Sequence, residues 1–291
     1  MSATGMTLRA GAPAPRRRRG PSLPAILSAL FWALYLALIG AWLIFPILLV
    51  VLASFQGNLE VTWPPGHLGF AGYRAIPGGY WQSFWFTIKV SVGASFCSLL
   101  ISFPAAWAMV RGRLWERRLF SSLVLLPEIV PQLILGIALL TVFIPLGLSN
   151  SFAGVMLGLI ALNLAMGLRF GEALLQGLPE EYELAAASLG AGKLTALRLI
   201  VLPMIAPGLA IAALFIFMQN LIAFVLLFFI AGPSATPISI RLFTDIIDRG
   251  VVPEAIAMSA ILVYVAVIFY AAVALALGPR YMAGALMSRK G

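Results

Sequence analysis

The feature that most limits how this chain can fold is a series of long apolar stretches that contain almost no charge. A helix needs about 20 such residues to cross the hydrocarbon core of a bilayer. Hydrophobic residues make up 62% of the chain and charged residues 10%, whereas soluble domains carry about a quarter charged residues. The sequence therefore predicts an all-α integral membrane protein with about six transmembrane helices. Their predicted positions are residues 25–54, 83–110, 119–146, 152–172, 200–231 and 255–277.

The positive charges are concentrated in the segments that this topology places on one side of the membrane. Fifteen of the 19 Lys and Arg residues lie there, and an excess of these residues marks the cytoplasmic side. We therefore expect a multi-pass membrane protein with both termini in the cytoplasm. The net charge of +9 orients the chain and does not indicate nucleic-acid binding.

Three regions follow from this topology. Residues 1–22 are rich in Ala, Pro and Arg and are predicted to form a disordered, basic cytoplasmic arm. Residues 23–278 form the transmembrane domain, and residues 279–291 form a short cytoplasmic tail. The single cysteine, Cys97, lies in an apolar run, which excludes an internal disulfide and a cysteine-based metal cluster.

One hydrophilic break, residues 177–199, interrupts the predicted helices on the cytoplasmic side. Acidic residues follow Pro179, where they favour the positive end of a helix dipole. Tyr182 and Leu189 fall on one face of that helix together with two alanines at i+3 and i+4. Gly190 and Gly192 end it, and Lys193 begins a second short helix. We predict a helical hairpin that is too polar to enter lipid.

This segment resembles a pattern of the membrane-spanning subunits of bacterial ABC importers, E-A-A-x3-G-x9-I-x-L-P, and after its role in that family we call residues 177–199 the coupling loop. Here it reads Leu184-Ala185-Ala186, then Gly190, Ile200, Leu202 and Pro203, with every gap preserved. The glutamate departs, since Leu184 stands in its place and Glu183 comes one residue early. Residues 70–74 and 232–254 resemble the spermidine/putrescine branch, especially its second permease subunit. The resemblance implies the type I importer permease fold and a location in the bacterial inner membrane.

In that family the loop docks into a groove of a cytoplasmic ATPase. The residues that the resemblance assigns to docking are Glu180, Glu181, Tyr182, Glu183, Leu184, Ala185, Ala186, Leu189, Gly190, Ala191 and Lys193. It also implies an ATPase dimer, a second permease subunit (a related chain or another copy), an external solute-binding protein and membrane lipid as partners. ATP and Mg would be bound by the ATPase, and no cofactor by this chain. Candidates for docking the binding protein are Tyr73, Arg74, Arg241, Asp245, Asp248 and Arg249.

A single acid, Glu128, lies deep in a predicted span, between Pro127 and Pro131. At ~1.5 Å per residue it would lie roughly 14 Å into the third helix, and no Lys or Arg is expected at that depth. A charge there marks a substrate pathway or a buried partner, so it could contact a substrate, be protonated or pair with another helix. The other polar residues of the predicted path are Gln132, Asn163, Gln219 and Asn220.

The substrate prediction rests on the presence of Glu128 and on the absence of an acidic residue at Gln219 and Asn220. Polyamine permeases usually carry an acid in the stretch that matches Gln219 and Asn220, which argues here against a polyvalent cation. We expect a small cationic or zwitterionic solute, such as a polyamine, an amine or an amino-acid-like compound.

Other functions find less support in the sequence. The stretch from Gly190 to Thr195 resembles the end of a phosphate-binding loop, but the earlier glycine and the Ser or Thr after Lys193 are missing. No motif for nucleophilic or metal catalysis is present, so we expect a non-catalytic subunit. The alternative is an ATP-independent carrier or channel, which would predict an internal inverted repeat; none is recognisable in the sequence.

Overall fold

The computed structural model describes residues 23–56, 66–112, 123–124, 126 and 128–277. The predicted arm, residues 1–22, and the predicted tail, residues 279–291, lie outside the described residues. The chain divides after Leu49 into two compact units. The first consists of most of helix α1, and the second contains the remaining elements.

The described residues are helical almost throughout, which confirms the predicted fold class. The helices are α1 Leu23–Ser54, α2 Ala71–Arg74, α3 Gly78–Arg111, α4 Gln132–Phe143, α5 Phe152–Gln176, α6 Glu181–Ser188, α7 Lys193–Ala196, α8 Leu202–Ile222, α9 Val225–Ile230, α10 Ile238–Arg249 and α11 Pro253–Leu277. A π-helical turn, Leu197–Val201, joins α7 to α8.

Five helical stretches of the described residues are long and apolar enough to cross a membrane. They correspond to every predicted span except the third. Four of them begin and end within a few residues of the predicted bounds, and the exception is the stretch that corresponds to the fifth predicted span. That stretch begins at Lys193, inside the coupling loop, because α7, the π turn and α8 run on without a break.

The third predicted span, residues 119–146, is not one continuous helix, and this part of the prediction is wrong. Helix α4 covers only Gln132–Phe143, and the chain leaves the helical conformation at Val130 and Pro131. Pro131 has no N–H to donate and disfavours helical geometry at the residue before it. The break therefore separates Glu128 from α4.

The fifth predicted span, residues 200–231, is also not one continuous helix. Helix α8 ends at Ile222, two residues leave the helix, and α9 begins at Val225. No proline or glycine lies at this break. It faces the candidate site described below.

The core of the second unit lies between α3, α5 and the broken α8–α9 pair. One apolar cluster at its centre includes Val90, Leu159 and Leu226, all almost fully buried. Towards the coupling loop, Gly167 of α5 lies against Ser102 of α3 so closely that a Cβ would overlap the Ser102 hydroxyl. Small residues allow two helices to approach in this way, so Gly167 serves the packing of α5 against α3.

Candidate functional site

A central cavity of about 280 Å³ brings together four of the five predicted path residues. Glu128, Gln132, Asn163 and Gln219 line it, together with apolar side chains such as Leu162 and Phe224. Asn163 is 11 residues into α5, about 17 Å along that helix, which places the cavity near its middle. Four of the five predicted path residues therefore lie around one cavity.

The fifth predicted residue, Asn220, lies behind the cavity in a buried amide network. Asn163 Nδ2 donates to Asn220 Oδ1 at 2.7 Å and to the Leu159 carbonyl at 2.7 Å. Asn220 Nδ2 in turn donates to the Ser91 carbonyl at 3.2 Å and to Ser95 Oγ at 3.1 Å. This network joins α3, α5 and α8, and it orients the Asn163 side chain at the cavity wall.

Glu128 does not lie alone at its depth, contrary to the sequence prediction. Arg169 of α5 reaches it, with 3.2 Å between an Arg169 terminal nitrogen and Glu128 Oε2, and the two side chains are 58% and 44% exposed. Arg169 follows Asn163 by six residues, or about 9 Å, on the side that leads to the coupling loop. The carboxylate and the guanidinium together leave this end of the cavity without net charge.

The break between α8 and α9 forms another wall of the cavity. Ala223, Phe224 and Val225 all line it, and the last carbonyls of α8 have no partner within their own helix. Ser239 Oγ donates to the Ala223 carbonyl at 3.0 Å, which holds the open turn. Non-helical backbone at membrane depth is tolerated where it lines a polar cavity, so the break suits a solute path.

The coupling loop forms the predicted helical hairpin, and its turn has a well-defined hydrogen-bond pattern. Gly190 has a φ of +84°, its N–H donates to the Ala187 carbonyl at 2.9 Å, and the Ala191 N–H donates to the Ala186 carbonyl at 3.0 Å. These two bonds define a Schellman motif, which requires the left-handed conformation that glycine adopts most easily. The predicted role of Gly190 in the turn thus has a structural basis.

The outer surface of the hairpin carries exposed apolar side chains. Leu189 is 90% exposed, Leu184 and Tyr182 are also exposed, and Ala186 is buried. Neighbouring exposed apolar groups of this kind typically mark an interaction site.

A single arginine ties the coupling loop to helix α3. Arg111 Nε donates to Glu183 Oε1 at 2.7 Å, and another of its nitrogens donates to the Leu178 carbonyl at 2.6 Å. The Arg111 and Glu183 side chains are only 13% and 17% exposed. Glu183, which precedes the family position by one residue, is therefore held within this chain, and Leu184 takes the exposed position.

The candidate residues for docking a binding protein differ in their contacts and in their exposure, and Arg241 among them is partly buried. The Tyr73 hydroxyl shares hydrogen bonds with Ser54 and Tyr264, and burial raises its pKa to about 12. Arg249 pairs with Asp245 and with Glu254, at 3.3 Å each. Arg74 and Asp248 are exposed.

Two residues with a part in these sites were not singled out by the sequence. In the sequence, Arg169 and Arg111 are recognisable only as positive charges that orient the chain. Their roles are hidden because the acid that each one contacts lies far away in sequence. A basic residue inside or at the end of an apolar span is a signal that could have suggested an acidic partner.

A bundle of apolar helices around a polar cavity, with a broken helix at its wall and a hairpin beyond it, defines a solute permease of the membrane. Residues 98–282 match the family described as the inner membrane component of binding-protein-dependent transport systems. This match covers more than half of the chain, and the chain belongs to that family, whose members are the non-catalytic membrane subunits of ABC importers.

Curated relatives include polyamine permeases. The chain is 26% identical over 250 residues to the putrescine transport system permease protein PotI of Escherichia coli, covering 83% of this chain and 88% of that protein. It is 24% identical over 235 residues to the spermidine/putrescine permease protein PotC of the same species, covering 80% and 89%. A probable ABC transporter permease protein of Sinorhizobium fredii, y4fN, is 27% identical over 87% of this chain, which spans 45% of the length of that protein.

Solved structures show the same fold. A bacterial ABC transporter involved in the import of the acidic polysaccharide alginate superposes with a TM-score of 0.70 at 20% identity, covering 87% of this chain and 97% of that one. The methionine ABC transporter MetNI, in an inward-facing conformation, gives a TM-score of 0.55 at 17% identity, over 66% and 92%. At these identities the likeness concerns the fold alone.

Proposed function

We propose that this permease subunit provides the substrate path of an ATP-driven importer for a small zwitterionic or cationic solute. The observation that carries the proposal is the central cavity, where Glu128, Gln132, Asn163 and Gln219 meet beside the broken helix. A cavity of about 280 Å³ has room for a small solute, and its amides can donate and accept hydrogen bonds.

The charges around the central cavity favour the zwitterionic alternative. Arg169 occupies one carboxylate oxygen of Glu128, so the acid is already compensated and offers little net attraction to a dication. The other oxygen can accept from an ammonium group. The Arg169 guanidinium lies just beyond the residues that line the cavity, and it retains N–H groups for a carboxylate. Relatives named for putrescine or spermidine support an amine-containing substrate.

The coupling loop supports ATP-driven rather than ATP-independent transport. Its exposed Tyr182, Leu184 and Leu189 provide an apolar surface for a groove of a cytoplasmic ATPase. The hydrogen bonds from Arg111 to Glu183 and Leu178 would transmit a displacement of the loop to helix α3. The same helix accepts hydrogen bonds from Asn220 at Ser91 and Ser95, so its movement would reach the amide network behind the cavity.

The remaining assembly follows from the same proposal. An ATPase dimer offers two grooves, so a second permease subunit would complete the membrane part, and ATP and Mg would bind to the ATPases. A solute-binding protein would dock on the outer side, near α2 and α10. Both termini of this chain would lie in the cytoplasm.

The test is solute uptake by the complete importer, reconstituted with its ATPase and binding protein in liposomes. We expect ATP-dependent uptake of labelled zwitterions with a free ammonium group, such as 4-aminobutyrate or alanine, in preference to putrescine and spermidine. Uptake of polyamines would overturn the zwitterionic choice and leave the permease assignment standing. Uptake that needs neither ATP nor the ATPase would overturn the proposed function and favour a secondary carrier.

A further inference from the structure

A second polar cavity, distinct from the central one, lies beside the first turn of α10. Its volume is about 170 Å³, and its polar lining consists of Arg241, Gln82, Ser83, Ser234 and Thr236. No acidic residue is among the described residues that line it. We call it the Arg241 cavity.

Arg241 has no electrostatic partner within the described part of the chain. Its Nε is buried without a hydrogen-bond acceptor, and its guanidinium takes part in none of the ion pairs of the described residues. Arg249, two turns further along the same helix, pairs with two carboxylates. A buried donor on a charged group is costly when it has no partner, and such a group in a native structure calls for an explanation.

The backbone beneath Arg241 is shaped to admit its guanidinium. A Cβ at Gly79 would lie 2.6 Å from a terminal nitrogen of Arg241, whereas a Cβ at the neighbouring Gly78 would meet nothing within 4 Å. The absence of a side chain at Gly79 therefore leaves room for the guanidinium in its present position. A side chain at Gly78 would not touch the guanidinium.

A carboxylate is the group that fits this chemistry. It can accept two parallel N–H bonds from a guanidinium and further bonds from the Ser234 and Thr236 hydroxyls. The volume holds a carboxylate at the end of a short side chain. Since loop 232–236 and α10 lie on the predicted outer surface, a protein that docks there can deliver such a side chain.

We infer that the Arg241 cavity receives an Asp or Glu side chain of the docked solute-binding protein. This inference rests on the proposed function, because it needs a binding protein that docks on the α10 surface. Electrostatic pairing of this kind contributes to the specificity and rate of association, so Arg241 would distinguish the correct binding protein from others.

The experiment measures how the solute-loaded binding protein stimulates ATP hydrolysis by the reconstituted importer. We expect Arg241→Gln to raise the binding-protein concentration for half-maximal stimulation at least about tenfold at low salt, with maximal hydrolysis unchanged. Gly79→Ala should produce a smaller rise, above twofold, because its methyl group displaces the guanidinium and keeps the charge, and the matched control Gly78→Ala should produce none. High salt should raise the wild-type value more than that of Arg241→Gln, because ions screen the pairing.

The outcomes separate this inference from the proposed function. A half-maximal concentration within twofold of wild type in both Arg241→Gln and Gly79→Ala would overturn the inference and leave the cavity to water. Stimulation of wild type by free glutarate without binding protein would assign the cavity to a soluble anion and also overturn it. If the binding protein fails to stimulate the wild-type importer at all, the proposed function itself falls. Should Arg241→Gln not assemble, the two glycine variants still decide the question.

Discussion

At the scale of the residue, the ion pair between Glu128 and Arg169 changes what the acid can do. Both side chains are about half exposed, and such a pair contributes only about 0–1 kcal/mol to stability in water. Its position at the edge of the central cavity therefore has more bearing on solute binding than on the free energy of unfolding. A purely structural pair and a solute-binding pair give different results in a double-mutant cycle.

We expect Glu128→Gln to slow transport several-fold, because it removes the acceptor for an ammonium group and leaves Arg169 unpaired. Basal ATP hydrolysis should persist, since the coupling loop is untouched, and so should solute affinity of the isolated binding protein. The decisive variant is Glu128→Gln combined with Arg169→Gln, measured by initial uptake rates. If the pair is only structural, the double variant regains the rate of wild type; if Glu128 contacts the solute, it remains slow.

At the scale of the element, the coupling-loop hairpin offers two exposed glycines with opposite requirements. Gly190 has a φ of +84°, whereas Gly192 has a φ of −69°, and a Cβ at either glycine would meet no atom within 4 Å. A side chain at Gly190 would thus act through backbone strain of about 1–2 kcal/mol, and one at Gly192 would meet no such strain.

Gly190→Leu should therefore weaken the association with the ATPase and lower stimulated hydrolysis, while the matched control Gly192→Leu should be affected far less. The readouts are co-purification of the ATPase with the membrane subunits and hydrolysis in the presence of loaded binding protein. Normal coupling in Gly190→Leu would reduce the hairpin to a simple connector between two spans.

At the scale of the whole molecule, the sequence predicts the helices well and their contacts poorly. The bilayer imposes length and polarity on each span, so α3, α5 and α11 appear in the sequence with nearly their observed bounds. Pro131 signals the interruption before α4, but nothing local marks the break after Ile222, which Ser239 stabilises from a later helix. The pairing of Glu128 with Arg169 likewise depends on packing between elements.

The topology of the whole chain is the prediction that the coupling argument most requires. Reporter fusions at Pro65 and Ser239 should give signals from outside the membrane, and fusions at Arg113, Gly192 and Gly291 signals from inside, because Lys and Arg concentrate on the latter side. An external signal at Gly192 would place the hairpin away from any ATPase and contradict the proposed coupling.

The π-helical turn at Leu197–Val201 gives the spacing between Gly190 and Pro203 a geometric meaning. A π turn holds about one residue more than an α turn, so the helix before it and the helix after it differ in phase by one residue, or about 100° of rotation. Inserting or deleting one residue between Gly190 and Pro203 would turn the hairpin by that angle about the axis of α8. The nine residues between Gly190 and Ile200, which include part of the π turn, thus determine the rotation of the hairpin about this axis and the direction in which Leu189 points.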